Sequence, residues 1–247
     1  MTDDVSRETP SVPEVARRAF PSERLPLAVQ YAEILATEGV LRGLIGPREA
    51  PRLWERHLVN CAVLAELLPA DATVCDIGSG AGLPGLVVAI ARPDIQITLV
   101  EPLLRRTTFL DEVSEALGLD NVEVVRGRAV VLHGQRRFDV VTSRAVAPLE
   151  RLLGWSMPLV AAGGALVAMK GSSAAEEIEA AHQVLVDGGC GVPEIIVLGE
   201  GLLSSTTVAV RVPWADPQQV SWPLAVSHPE GKEKRPPQNR RKKRRPA

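Results

Sequence analysis

Apolar positions change their period near residue 70. Before it, Leu27, Tyr31, Ile34 and Leu35 recur at helical spacing until Gly39 and the 43–47 stretch break the pattern. Trp54, Leu58, Cys61, Ala65 and Leu68 form a second helical stripe, stopped by Pro69. Beyond it, short apolar runs alternate with longer segments. Runs 72–77, 95–100, 121–126, 138–143 and 164–169 read as strands, with helices at 83–91, 103–118, 147–160 and 173–186 between them. Two further runs, 194–198 and 206–212, read as closing strands. Strands and helices in strict alternation predict an α/β fold with a doubly wound, mostly parallel sheet, here of seven strands. The expected layout is a loose leader over 1–24, a helical cap over 25–70, the sheet domain over 71–213 and a tail over 214–247.

Composition narrows the picture little, but charge does more. The chain of 247 residues is 45% hydrophobic, enough for one sizeable core. Its three cysteines, Cys61, Cys75 and Cys190, are far apart, giving neither a disulfide framework nor a metal-binding pair. The acidic beginning lacks the apolar stretch of a secretory signal, and the longest apolar run, 157–169, is interrupted by Pro158, Gly163 and Gly164 and is too short to span a bilayer. The expectation is a cytoplasmic monomer without membrane or metal partners. The net charge of −2 conceals an asymmetry, because 230–245 holds nine Lys/Arg against two Glu, a local +7 that leaves −9 elsewhere. This tail is too charged to bury a core, and the expectation is disorder with Arg240, Arg241, Lys242, Lys243, Arg244 and Arg245 free to meet nucleic-acid phosphates.

The densest chemistry lies at 74–85, Val-Cys-Asp-Ile-Gly-Ser-Gly-Ala-Gly-Leu-Pro-Gly, where a strand runs into a glycine-rich turn and then a helix. Backbone N–H groups at such a turn favour negative or strongly polar ligand groups, and ligands of doubly wound sheets bind outside the carboxyl ends of the strands. The dinucleotide fingerprint Gly-x-Gly-x-x-Gly fails here, since the glycines are 78, 80 and 82 and Leu83 stands at its third position. Glu101, at the end of the second strand, is placed to accept hydrogen bonds from both hydroxyls of a ribose. S-adenosylmethionine (SAM) and nicotinamide cofactors share that ribose, so Glu101 does not separate them. Gly-x-Gly-x-Gly after a strand ending in an acid is similar to the first motif of SAM methyltransferases.

Four ordered stretches narrow the resemblance: Asp76–Gly85, Leu53-Trp-Glu-Arg-His-Leu-Val-Asn60, Ser143-Arg-Ala-Val-Ala147 and Met169-Lys-Gly171. Together they resemble the bacterial 7-methylguanosine methyltransferases of small-subunit (16S) ribosomal RNA, also called glucose-inhibited division protein B, over roughly 27–212. The resemblance implies a Rossmann-like class I SAM methyltransferase whose last two strands close the sheet as an antiparallel pair, with SAM as cofactor and 16S RNA or the small subunit as partner. The sequence itself is compatible with transfer to guanine N7. It lacks the Asp/Asn-Pro-Pro-aromatic motif of exocyclic-amine methylation, and no cysteine lies at the tip of the fourth or fifth strand to activate a pyrimidine ring.

Expected site residues follow. Asp76, Gly78, Ser79, Gly80, Gly82 and Leu83 form the cofactor loop and Glu101 the ribose contact, and the resemblance implies an adenine contact at Ala129 and Val130. Arg144 can reach the cofactor carboxylate or the O6/N7 edge of guanine, although a pairing with a surface acid fits its position equally well. Lys170 is a candidate for an RNA phosphate and equally a solvated strand end. His57 shares one helix side with Asn60; the resemblance assigns it to closing the cleft or orienting RNA, and packing alone explains it as well. With 3% aromatic residues, a base-stacking platform is not expected.

Overall fold

The computed structural model describes residues 12–222. Residues 1–11 and the whole of Arg240–Arg245, with the rest of 223–247, lie outside them. One sheet of seven strands runs through the molecule: β1 (Thr73–Ile77), β2 (Gln96–Glu101), β3 (Val122–Arg126), β4 (Phe138–Arg144), β5 (Val160–Lys170), β6 (Glu194–Leu198) and β7 (Thr207–Pro213). Their order is β3-β2-β1-β4-β5-β7-β6. The first five are parallel, and β7 is antiparallel to both β5 and β6.

Side chains alternate across the sheet, and each face gathers its own core. Val74, Ile97, Leu99, Val140 and Val167 point one way, toward α4 (Gly85–Ala91), α5 (Leu104–Ala116) and the cap. Cys75, Ile77, Val100, Val141 and Leu166 point the other way, toward α6 (Leu149–Ser156) and α8 (His182–Asp187). All seven residues of α4 are buried. Burying each of Leu86, Val87, Val88 and Ile90 stabilises the fold by about 1.5–3 kcal/mol. This anchors the glycine turn that precedes the helix.

The cap comprises α1 (Glu14–Ala19), α2 (Leu25–Ile34) with a π-turn at Leu35–Gly39, and a helical run over 54–67. That run opens as a π-turn, Trp54–Val59, passes through α3 (Asn60–Ala62) and tightens into a 3₁₀ turn, Val63–Leu67. The π-turn carries the Trp-Glu-Arg-His stretch, and such wide turns recur at functional sites. Helix α1 falls within the expected leader. Ala16 and Phe20 are buried in the cap core, a spacing too short for sequence periodicity to reveal.

Other boundaries shift for identifiable reasons. The helix expected over 147–160 stops at Ser156 and continues as a 3₁₀ turn, Met157–Leu159, where Pro158 has no N–H to give. Strand β5 begins at Val160, not 164, and a bulge separates its pairings Phe138↔Val160 and Val140↔Ala165. Gly164 makes that bulge possible, since a Cβ there would sit 2.4 Å from the Asp139 carbonyl oxygen. The segment expected as one helix over 173–186 is two, α7 (Ala174–Ala180) and α8, parted at Ala181.

Candidate functional site

The carboxyl ends of β1–β5 bear two open clefts that share one wall. The first, about 880 Å³, lies between the ends of β1, β2 and β3 and one side of α6. The second, about 860 Å³, lies between the ends of β4 and β5, the cap run and the 204–207 turn. Arg144, Ala145 and Val146 line both. Ala145 is held at φ 53°, the left-handed region a side chain rarely takes, and strain of this sort concentrates at functional sites.

The loop behind the first cleft is fixed from several sides. Gly78 leaves β1 at φ 71°, and a Cβ there would come within 2.9 Å of Val146, so only glycine lets β1 and the shared wall meet. The Ser79 hydroxyl donates to the Asp76 carbonyl oxygen (2.9 Å), and Tyr31 of the cap donates to the Ala81 carbonyl oxygen (2.5 Å). Asp76 is buried beneath the loop, where its Oδ2 accepts the Gly85 N–H at 3.0 Å and its Oδ1 has no partner among the described residues. Burial pushes its pKa up to about 7.

Glu101, buried at the end of β2, lines the first cleft. Its Oε2 accepts the Gly80 N–H (3.1 Å) and a longer contact from Arg106 (3.4 Å), while Oε1 accepts the Leu103 N–H (3.1 Å). Two backbone donors thus fix the carboxylate and leave acceptor capacity on Oε1. Arg106 also lines this cleft, and its Nε is a buried donor without a partner among the described residues. These features fit the adenosine part of SAM: a rigid acid for the ribose, and an apolar rim of Ala129, exposed Val130 and Trp155.

Arg144 leaves β4 and turns its guanidinium onto the cap. One terminal nitrogen donates to Cys61 Sγ (3.1 Å); the other reaches His57 Nδ1 (2.7 Å) and the Arg56 carbonyl oxygen (3.3 Å). A guanidinium can only donate, so His57 Nδ1 carries its lone pair and Nε2 carries the hydrogen. That Nε2–H donates to Glu49 Oε2 at 3.0 Å, and Glu49 also binds Arg56 Nη1 (2.9 Å). Burial, then the Arg144 charge, hold the His57 pKa below its usual value against the opposing pull of Glu49. His57 is neutral in this chain of contacts, and it lines neither cleft.

The sequence-predicted residues therefore divide. Gly78, Glu101, Ala129, Val130 and Arg144 line the first cleft. Asp76, Ser79, Gly80 and Gly82 shape the loop without lining it, and Leu83 packs against the core, away from both clefts. Lys170 lines the second cleft, but not as a free ammonium: Nζ donates to Glu177 Oε2 and to the Ala147 carbonyl oxygen, each at 2.7 Å, and the side chain is 6% exposed. Sequence reasoning missed Glu49, Glu55, Arg106 and Trp155. Arg106 had a local signal, in the first turn of α5 and close behind Glu101, and Glu55 stood within the Leu53–Asn60 stretch. Among the described residues, no group of three or more His, Cys, Asp or Glu could hold a metal, and no helix is long and apolar enough to cross a membrane.

Comparison with known proteins bears on this geometry. The family described as rRNA small subunit methyltransferase G matches residues 24–197. The chain is 67% identical over 235 residues to the ribosomal RNA small subunit methyltransferase G of a Nocardioides strain, covering 95% of this chain and 94% of that one. It is 56% identical to the protein of the same name from Thermobifida fusca, covering 81% and 85%. Among solved structures, a SAM-dependent O-methyltransferase from Thermotoga maritima aligns with a TM-score of 0.50 at 11% identity, covering 62% of this chain and 64% of that one. M. jannaschii TYW2 in complex with AdoMet does so with a TM-score of 0.50 at 14% identity, covering 62% and 74%. At such identities the structural likeness speaks to the fold alone.

Proposed function

Because the chain belongs to the rRNA small subunit methyltransferase G family, a family of SAM-dependent enzymes, we propose that it methylates N7 of one guanosine in 16S ribosomal RNA. The observation that carries this reading is the wall Arg144–Val146, which separates a cleft suited to the cofactor from a polar cleft able to receive a base. SAM supplies a methyl group made electrophilic by its sulfonium. Glu101 holds the ribose, Gly78 admits the ligand close to the backbone, and Val130 and Trp155 flank the adenine. The target guanine enters the second cleft, flipped out of its RNA surroundings.

N7 brings its own in-plane lone pair. Transfer to this lone pair would form the N–C bond as the methyl–sulfur bond is given up, so no residue would have to remove a proton. The shared wall matches this requirement, for it holds an arginine and no general base. Catalysis then rests on positioning. Arg144, oriented by His57, is the contact toward guanine O6, which leaves the N7 lone pair to the methyl group. The 25–70 part of the cap forms one side of the base cleft on the 71–213 domain, and the basic tail adds sequence-blind affinity for phosphates. The protein acts as a monomer in the cytoplasm, where small subunits are assembled.

Methyl-labelled SAM offered with ribosomal RNA, intact small subunits or cell protein tests this directly. Label recovered as 7-methylguanosine from 16S RNA supports the reading and identifies the substrate's assembly state. Label on protein alone, or on no macromolecule despite SAM binding, overturns it.

A further inference from the structure

Adenine and guanine both carry N7, so attack by N7 cannot by itself select guanine. Selection has to come from another edge of the base. For N7 to meet a methyl group arriving past Val146, the imidazole side of the purine must face the shared wall. The guanine N1–H and N2 amino group lie on the far side of the ring system. They then point into the second cleft, away from N7, and the cap run and the 204–207 turn are among the walls that meet them there. Two adjacent donors are matched by the two oxygens of a carboxylate.

Two carboxylates line this cleft, Glu55 and Glu177. Glu177 is already engaged: Oε2 accepts Lys170 Nζ at 2.7 Å and the Leu149 N–H at 2.8 Å, and Oε1 accepts the Ser173 hydroxyl at 3.2 Å. Glu55, on the π-turn Trp54–Val59, is different. Its Oε1 accepts the Ser204 hydroxyl, and Oε2 has no partner among the described residues. No ion pair involving Glu55 occurs among them either. Each carboxylate oxygen can accept two hydrogen bonds, so Ser204 orients the group and leaves both oxygens able to receive a base donor. The other polar pair facing this side, Asn60 and Thr207, is bound to itself.

We infer that Glu55 reads the N1–H and N2 amino donors of the target guanine and is the residue that makes the base cleft guanine-specific. Adenine presents a lone pair at N1, which the same carboxylate repels. This assignment rests on the guanosine N7 reading above.

The test replaces the target guanosine by inosine, which keeps N7, O6 and N1–H and lacks only the N2 amine. Label transfer to the two RNAs is compared for the full-length wild-type protein, Glu55→Gln and Glu55→Ala, with SAM affinity measured by calorimetry. Wild-type protein should lose about tenfold to a hundredfold in kcat/KM on inosine, the range of one good base-edge contact. Glu55→Ala should lose a similar factor on guanosine and no longer distinguish the two RNAs. Glu55→Gln should fall in the same direction, and SAM affinity should be unchanged in both variants. Full discrimination between guanosine and inosine by Glu55→Ala, or wild-type rates on guanosine, would overturn the assignment. Wild-type protein that binds SAM but methylates neither RNA would instead overturn the guanosine reading itself.

Discussion

Arg144 is held by a histidine nitrogen, a thiol and a carbonyl oxygen, and the histidine is its closest partner. Protonating His57 would place two cations 2.7 Å apart and remove the lone pair that Arg144 uses. The groups facing the imidazole are Arg144, Glu49 and Arg56. Because the folded-state pKa is lowered, the stability that neutral His57 contributes is fully present above about pH 6.5 and is lost as pH falls through the lowered value. The kcat/KM should decline over that acid window in step with the His57 imidazole resonance followed by NMR. Glu49→Gln removes a group that raises the His57 pKa, so both curves should move to lower pH; curves that stay put would show that Glu49 does not act through His57. At Glu101, a Gln substitution keeps the shape and loses the charge. It should weaken SAM binding about tenfold to a hundredfold by calorimetry, the scale of a charged hydrogen bond. Glu101 and the glycines were legible in the sequence because their geometry is local, a strand end and the turn beside it. Glu49 was not, because a loop sets its distance from His57. Nor was the Lys170–Glu177 pair, since a strand tip does not disclose which helix will cover it.

Among the elements, alternation of apolar runs was enough to find all seven strands, because a sheet buried on both faces leaves continuous apolar stretches. The start of β5 was not legible. Gly163 and Gly164 read as an interruption, whereas the structure runs the strand through them and uses the missing side chain at Gly164 to bring β5 against the β4 backbone. Gly164→Ala should therefore cost about 1–3 kcal/mol, because the clash is with main chain and cannot be relieved by a rotamer change. Thermal unfolding should shift down by roughly 2–4 °C per kcal/mol. The β4 end and Arg144 lie beyond the bulge, so SAM affinity of the folded protein should be preserved. An unchanged melting temperature would show that the bulge is not tight. The antiparallel closure was legible only as a pair; that β7 enters between β5 and β6 is decided by tertiary pairing, on which periodicity is silent.

On the scale of the whole molecule, charge is divided between a net acidic body and a strongly basic terminal segment. Deleting 231–247 should flatten the dependence of RNA affinity on salt, by about 0.7–0.9 in the logarithmic slope for each phosphate that the tail would have neutralised. SAM affinity should not change. A salt slope equal to that of the full chain would place the phosphate-binding cations on the folded body instead. The strand order carries a different consequence, for the birth of the protein. As the chain leaves the ribosome, β1 to β5 can assemble in sequence, yet β5 then ends the growing sheet with an open edge, and β6 emerges with no neighbour to join. Both wait for Thr207–Pro213. When that segment arrives it fills the slot in a single event, closing the β5 edge and recruiting β6 together. A nascent chain that stalls before Thr207 is thus exposed to edge-to-edge association with other chains, and completing β7 ends that hazard.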